Sequence, residues 1–155
     1  MNRFWVDTPF SAYLILEIDN GLIQKIDIDS KKDGSKSEGL KGLFEKVFEN
    51  KDLSFFEYSL LAIDKTKKSY KLYEFLISTK TGDTISYSEC ADRVYGSKQY
   101  ARAVAKMLNA NKFAFVIPCH RVVAKNGIGG YAKGVELKKK ILVWEGVDLR
   151  SFLDR

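Results

Sequence analysis

The stretch SYSECADRVYGSKQYARAVAKMLN, Ser86 to Asn109, decides how the chain is read. Ser86 and Glu89 stand three apart, the spacing at which a serine hydroxyl and a glutamate carboxylate cap a helix start. That spacing opens a short helix through Tyr95. Gly96 ends it, because glycine accepts the left-handed backbone of a helix terminus. Ser97 caps a second helix to about Leu108, with Ala101, Val104, Ala105 and Leu108 facing inward. Two short helices about a glycine turn read as a helix-turn-helix, although any helical hairpin could produce the pattern. The second helix presents Lys98, Gln99, Arg102, Lys106 and Asn109 outward. Lysine and arginine neutralise phosphates, and a small residue such as Ala101 lets a backbone approach.

Upstream, Leu72, Tyr73, Phe75 and Leu76 follow helical spacing in Tyr70 to Ser78, and Thr81-Gly82-Asp83 turns the chain. The lysine-rich DKTKKS, Asp64 to Ser69, reads as a linker. Before it, AYLILEI (Ala12 to Ile18) and LIQKIDI (Leu22 to Ile28) alternate as strands around Asp19-Asn20-Gly21, and Asn-Gly signals a tight hairpin. SKKDGSKSEG, Ser30 to Gly39, reads as a surface loop. Leu40, Leu43, Phe44, Val47 and Phe48 make an amphipathic helix to about Asn50, and Phe55 to Ile63 has a strand-like pattern. The expected fold class is α+β. A small sheet-and-helix domain spans residues 1–65, and a mostly helical, winged-helix-like domain with the helix-turn-helix spans 66–155.

The 155 residues, 45% hydrophobic and 30% charged, have a globular balance rather than that of a disordered chain. No apolar run approaches a membrane span, and Met1 to Phe10 lacks a basic start followed by a greasy segment, so neither membrane insertion nor export is expected. Cys90 and Cys119 are the only cysteines; reduced thiols in a cytoplasmic setting fit better than a disulfide framework. Two cysteines and one histidine fall short of four zinc ligands. Residues 1–65 carry 9 Lys/Arg against 12 Asp/Glu, and residues 66–155 carry 17 against 8. Charge alone does not decide between a solvated surface and a polyanionic partner. With the helix-turn-helix, it favours DNA contact.

Downstream lies VIPCHRVV, Val116 to Val123, which sets one cysteine beside the only histidine. Free cysteine is usually buried and inert. Against that reading, His120 could supply the base that a thiol nucleophile needs, Arg121 adds positive charge, and Pro118 with Ile117 stiffens the approach. Neighbouring side chains on a strand point to opposite faces, so a Cys119–His120 partnership requires a turn here.

The order ISY (Ile85–Tyr87), ARAV (Ala101–Val104), Asn111, IPCHRVV (Ile117–Val123), GGYAKG (Gly129–Gly134) and WEGV (Trp144–Val147) closely resembles the O6-alkylguanine-DNA alkyltransferases, direct-reversal DNA repair proteins. The resemblance is strong from about residue 68 to 149 and only architectural over the first 65. It implies that Cys119 accepts the alkyl group irreversibly, once per molecule, while His120 takes the thiol proton through a bridging water and Glu145 orients the imidazole. It further implies that Tyr87 hydrogen-bonds guanine N3, Asn111 braces the cysteine turn and Arg102 fills the stack of a flipped base. The Val122 carbonyl would read the guanine amino group, and Tyr131 and Ala132 would shape the alkyl pocket. Ala101, Lys98, Gln99 and Lys106 would lie along the minor groove of duplex DNA containing O6-alkylguanine. No cofactor or metal is implied, since the damaged base is the donor. A monomer is expected, cytoplasmic or nucleoid-associated in a prokaryote.

Three features depart from the family pattern. Lys112 stands where proline is frequent, and Ala132 and Lys133 replace a small hydroxylated residue and a glycine. The zinc ligands of some relatives have no counterpart. Cys90 reads as core. A Cys-His hydrolase would need an oxyanion hole and an acyl groove, neither identifiable here. A DNA-binding module that only recruits partners would not need the cysteine.

Overall fold

Asn20 and Gly21 both take positive φ, 53° and 74°, the geometry of a two-residue hairpin turn. They join β2 (Tyr13–Asp19) to β3 (Leu22–Asp29) in a computed structural model that describes residues 2–152. The N-terminal sheet runs β3-β2-β1-β4, with β1 (Asn2–Asp7) antiparallel to β2 and the short β4 (Ser35–Lys36) parallel to β1. Alternation buries Leu14 and Leu16 of β2 and Ile26 and Ile28 of β3 on one face. The helix α1 (Glu38–Asn50) begins at Ser37, whose hydroxyl accepts from the Leu40 amide, and buries Phe44 and Val47. Each such large apolar side chain contributes about 1.5–3 kcal/mol on burial.

Three elements differ from the expectation. The first strand had no counterpart in it. The surface loop Ser30–Gly39 contains β4 and the first residues of α1. Phe55 to Ile63 is not a strand: it contains two 3-10 turns, ending with Phe55 and spanning Tyr58–Leu60, and meets the sheet only where Leu61 bridges Ile23. The physical reason lies at the β3 edge. Ile26 there donates to Lys112 O and accepts from the Ala114 amide, so another segment occupies the edge a strand would need. Phe55 is also 48% exposed, which breaks the alternation.

Helix α2 (Ser69–Ile77) follows, and then β5 (Ile85–Ser86) leads directly into α3 (Tyr87–Tyr95). Ser86 accepts from the Glu89 amide, and Gly96 (φ 81°) donates back to Asp92 O. Ser97 caps as expected, but a 3-10 turn, Lys98–Tyr100, precedes α4 (Ala101–Asn109). Val104 and Leu108 are buried, while Ala101 and Ala105 are half-buried. Two-residue β6 (Val122–Val123) pairs in parallel with β5, setting Tyr87 beside the segment that carries Cys119. Helix α5 (Val135–Trp144) is followed by a 3-10 turn, Leu149–Phe152, which closes the described fold. The apolar core is continuous across Asp64–Ser69, joining β-sheet residues such as Leu14 to Val104, Phe115 and Ile141. No helix among the described residues is long and apolar enough to cross a membrane.

Candidate active site

Pro118 takes φ −79° and ψ 64°, close to the centre of an inverse γ-turn, and the Cys119 amide donates to Ile117 O at 2.7 Å. A 3-10 turn, Cys119–Arg121, follows. It replaces the opposed side chains of a strand with a geometry that turns both Cys119 and His120 inward. Asn111 ties this turn together. Its Nδ2 donates to Ile117 O at 3.1 Å and Phe113 O at 3.4 Å and lies 3.4 Å from Cys119 Sγ; its Oδ1 accepts from the Phe113 amide at 2.9 Å. Cys119 keeps 9% of its surface exposed whereas His120 keeps none, so the thiol residue is the one that reaches the surface.

Behind the thiol lies a buried charged cluster. Glu145 Oε2 sits 2.7 Å from His120 Nε2, and the carboxylate also accepts from Arg121 Nε at 2.9 Å, Arg121 Nη2 at 3.1 Å and the Gly82 amide at 3.2 Å. Arg121 Nη1 donates to the Thr79 carbonyl and hydroxyl. Burial opposes ionisation of Glu145, but His120 and Arg121 outweigh it and hold the pKa at about 2. Burial lowers the pKa of His120, with Arg121 and Lys138 reinforcing it and Glu145 opposing. The imidazole is therefore neutral near pH 7. Because an ionised carboxylate only accepts hydrogen bonds, Nε2 must carry the proton. The basic lone pair is then on Nδ1, which has no hydrogen-bond partner among the described residues. Burial raises the Cys119 pKa despite Asn111, Lys138 and Lys133, so the resting sulfur is a thiol.

The loop over the turn is shaped by two lysines. Lys138, wholly buried, donates to Val122 O at 2.7 Å and Gly130 O at 2.8 Å, and burial lowers its pKa to about 8. Lys133 pairs with Asp27 of β3 at 2.7 Å, joining the loop to the N-terminal sheet. Gly129 (φ 76°) packs so closely that a Cβ would lie 3.1 Å from the Tyr87 hydroxyl and ring. The Tyr87 hydroxyl reaches Gly130 O at 3.5 Å, and burial followed by the nearby Cys119 raises its pKa. The Tyr131 hydroxyl is buried and, among the described residues, meets no partner at full hydrogen-bond geometry; burial, then the adjacent Cys119, pushes its pKa well up. Ala132 is exposed.

A family model described as 6-O-methylguanine DNA methyltransferase, DNA binding domain, matches residues 68–147. The methylated-DNA–protein-cysteine methyltransferase of Metallosphaera sedula is 32% identical over 143 residues, 90% of this chain and 89% of that protein. The one from Methanothermobacter thermautotrophicus is 34% identical over 151 residues, 95% of this chain and 80% of its own length. The chain belongs to the 6-O-methylguanine DNA methyltransferase family. The crystal structure of the O6-methylguanine-DNA methyltransferase from the hyperthermophilic archaeon Pyrococcus kodakaraensis shares its fold. The TM-score is 0.74 at 27% identity, covering 88% of this chain and 92% of that one.

On this member of the methyltransferase family, Lys98, Gln99, Arg102 and Lys106 are exposed along α4 and the turn before it, with Ala101 half-buried among them. They are exposed to solvent there, whereas Cys119, His120, Glu145, Asn111, Val122, Tyr87 and Tyr131 gather around the thiol turn and the buried carboxylate. Cys90 is core, its pKa raised by burial to about 11. Two site residues escaped the sequence reading. Arg121 was read as a charge near the cysteine, but its guanidinium goes to Glu145 and Thr79. Lys138 was not singled out, although it stands at helical spacing with Ile141, Leu142 and Glu145. That spacing was the available signal: among Lys138, Lys139 and Lys140, only the first falls on the inward stripe.

Proposed function

We propose that this protein repairs DNA by direct reversal, moving the alkyl group of O6-alkylguanine in duplex DNA to Cys119. The observation that carries the reading is the hydrogen bond from His120 Nε2 to Glu145, which leaves Nδ1 as the basic nitrogen beside the thiol turn. A bridging water carries the thiol proton to Nδ1 as sulfur attacks the alkyl carbon. The S–C bond forms, the C–O6 bond breaks with its electron pair staying on the purine, and a proton returns to guanine. Tyr87 aids departure of the base by a hydrogen bond to N3. Asn111 holds the sulfur, the second lone pair of the Val122 carbonyl accepts from the guanine amino group, and Tyr131 with Ala132 lines the alkyl pocket.

The outer surface of α4 supports minor-groove binding, with Arg102 taking the place of the extruded base, and Ala101, Lys98, Gln99 and Lys106 along the backbone. Extrusion costs a few kcal/mol, least for a damaged and poorly paired base. The minor groove carries little sequence code, which suits repair anywhere in a genome. In this reading residues 66–155 bind DNA and carry the chemistry, residues 1–65 support them, and the protein works as a cytoplasmic monomer. A thioether offers no easy leaving path, so each molecule acts once. Intact-mass measurement after incubation with an O6-methylguanine duplex tests this. One added methylene is expected, lost in Cys119→Ala; binding without any mass change would instead mark a recognition module.

A further inference from the structure

Phe115 takes φ 73°, a left-handed backbone that an aromatic residue rarely adopts and that persists only where its surroundings hold it. The surroundings here are hydrogen bonds on both sides. Val116 N donates to Ala114 O at 2.9 Å, Ile117 N to Phe113 O at 3.1 Å and the Tyr58 hydroxyl to Val116 O at 2.6 Å. The ring so placed has no exposed surface and stacks on His120, with centroids 6.1 Å apart and planes 14° from parallel. Its other ring neighbours are Phe10 at 5.3 Å, Phe48 at 5.8 Å and Trp144 at 5.8 Å. Phe10 follows β1 and Phe48 belongs to α1, so both come from the N-terminal half, while Trp144 immediately precedes Glu145.

A single hydrogen bond to Glu145 locates the imidazole but leaves it free to swing about that bond. A flat ring packed along its plane removes the swing, so Nδ1 keeps one direction. We propose that Phe115 is a positioning residue for the His120 relay, and that the N-terminal half acts on alkyl transfer by bracing this ring through Phe10 and Phe48. The inference rests on the proposed relay and adds to it a task for the first 65 residues. The aromatic group brings no titratable side chain. The charged groups facing His120 are Glu145 at the end of α5, Lys138 within α5 and Arg121 of its own turn. The aromatic side thus supplies dryness, which disfavours a resting imidazolium.

The chain holds one histidine, so NMR on protein with isotope-labelled imidazole reads its titration directly. In Phe115→Leu, which removes the flat face and leaves room for water beside the imidazole, the imidazole pKa is expected to rise. The acid limb of the pH–rate profile for transfer should move up with it, and the neutral rate should fall by roughly tenfold or more. Binding of the damaged duplex should be unchanged. Phe48→Leu, remote from the thiol, should shift both titrations in the same direction by less. Titrations of both variants that coincide with the unsubstituted protein would overturn the proposal, whatever happens to stability. Should Phe115→Leu fail to fold, Phe48→Leu decides alone. If the unsubstituted protein transfers no alkyl group, the proposed function fails, and the imidazole titrations still test the positioning.

Discussion

Replacing Glu145 by Gln separates the structural from the chemical work of the buried cluster. The carboxylate is fully buried and bonded to His120, Arg121 and the Gly82 amide. Its pKa of about 2, against an ordinary 4.5, corresponds to about 3 kcal/mol of stability at neutral pH. Stranding one partner of a buried ion pair costs about 3–5 kcal/mol, and Arg121, 1% exposed, would be stranded. For a chain of this length the loss lowers the melting temperature by roughly 10 °C. The amide also no longer selects the imidazole tautomer, so the transfer rate should fall by about 10²–10⁴-fold. Thermal melts and single-turnover transfer measure the two losses. The double variant Arg121→Met/Glu145→Leu should recover much of the stability, since no charge is left unpaired, yet remain inactive. If Glu145→Gln melts and transfers like the unsubstituted protein, or if the double variant regains transfer with stability, the relay reasoning is wrong.

Acid should weaken the fold in two stages. His120 and Glu145 both have folded pKa values below their ordinary 6.5 and 4.5, so each contributes stability above that ordinary value and loses it as pH falls toward the folded one. Denaturant midpoints should decline below pH 6.5 and more steeply below 4.5; a flat profile across that range would refute the assignment. Asp27→Asn releases the Lys133 contact of a part-exposed pair and should change stability by no more than about 1 kcal/mol. It should nevertheless loosen the Gly129–Gly134 loop and raise transfer of a bulky O6-benzyl group relative to methyl; an unchanged ratio in duplex competition would sink that link. Arg102→Ala should slow transfer from a fully paired lesion more than from a mismatched one, because the arginine offsets extrusion. Equal slowing would assign it to phosphate contact alone.

Much of this molecule was legible locally, where the determinant is a neighbour in the chain. The Asn20-Gly21 hairpin, the Ser86 cap, the Gly96 stop and the Pro118-directed turn are each decided by one or two residues whose backbone preferences suffice. The thiol beside the histidine was legible in the same way, and the motif order carried the family. The apparent strand Phe55–Ile63 went wrong because its fate depended on an edge of β3 already bridged by residues near Lys112 and Ala114. Burial of a charge is equally non-local. Arg121 and Lys138 look like ordinary surface cations until the chain closes around them and offers a carboxylate and two carbonyls. The stacking of Phe115 on His120 required three separate segments to converge, Phe10 and Phe48 from one half of the chain and Trp144 from the other. Local sequence determined the turns and the thiol–imidazole pairing; packing between distant segments decided which imidazole nitrogen meets the carboxylate, which charges are dry, and which ring stacks on His120.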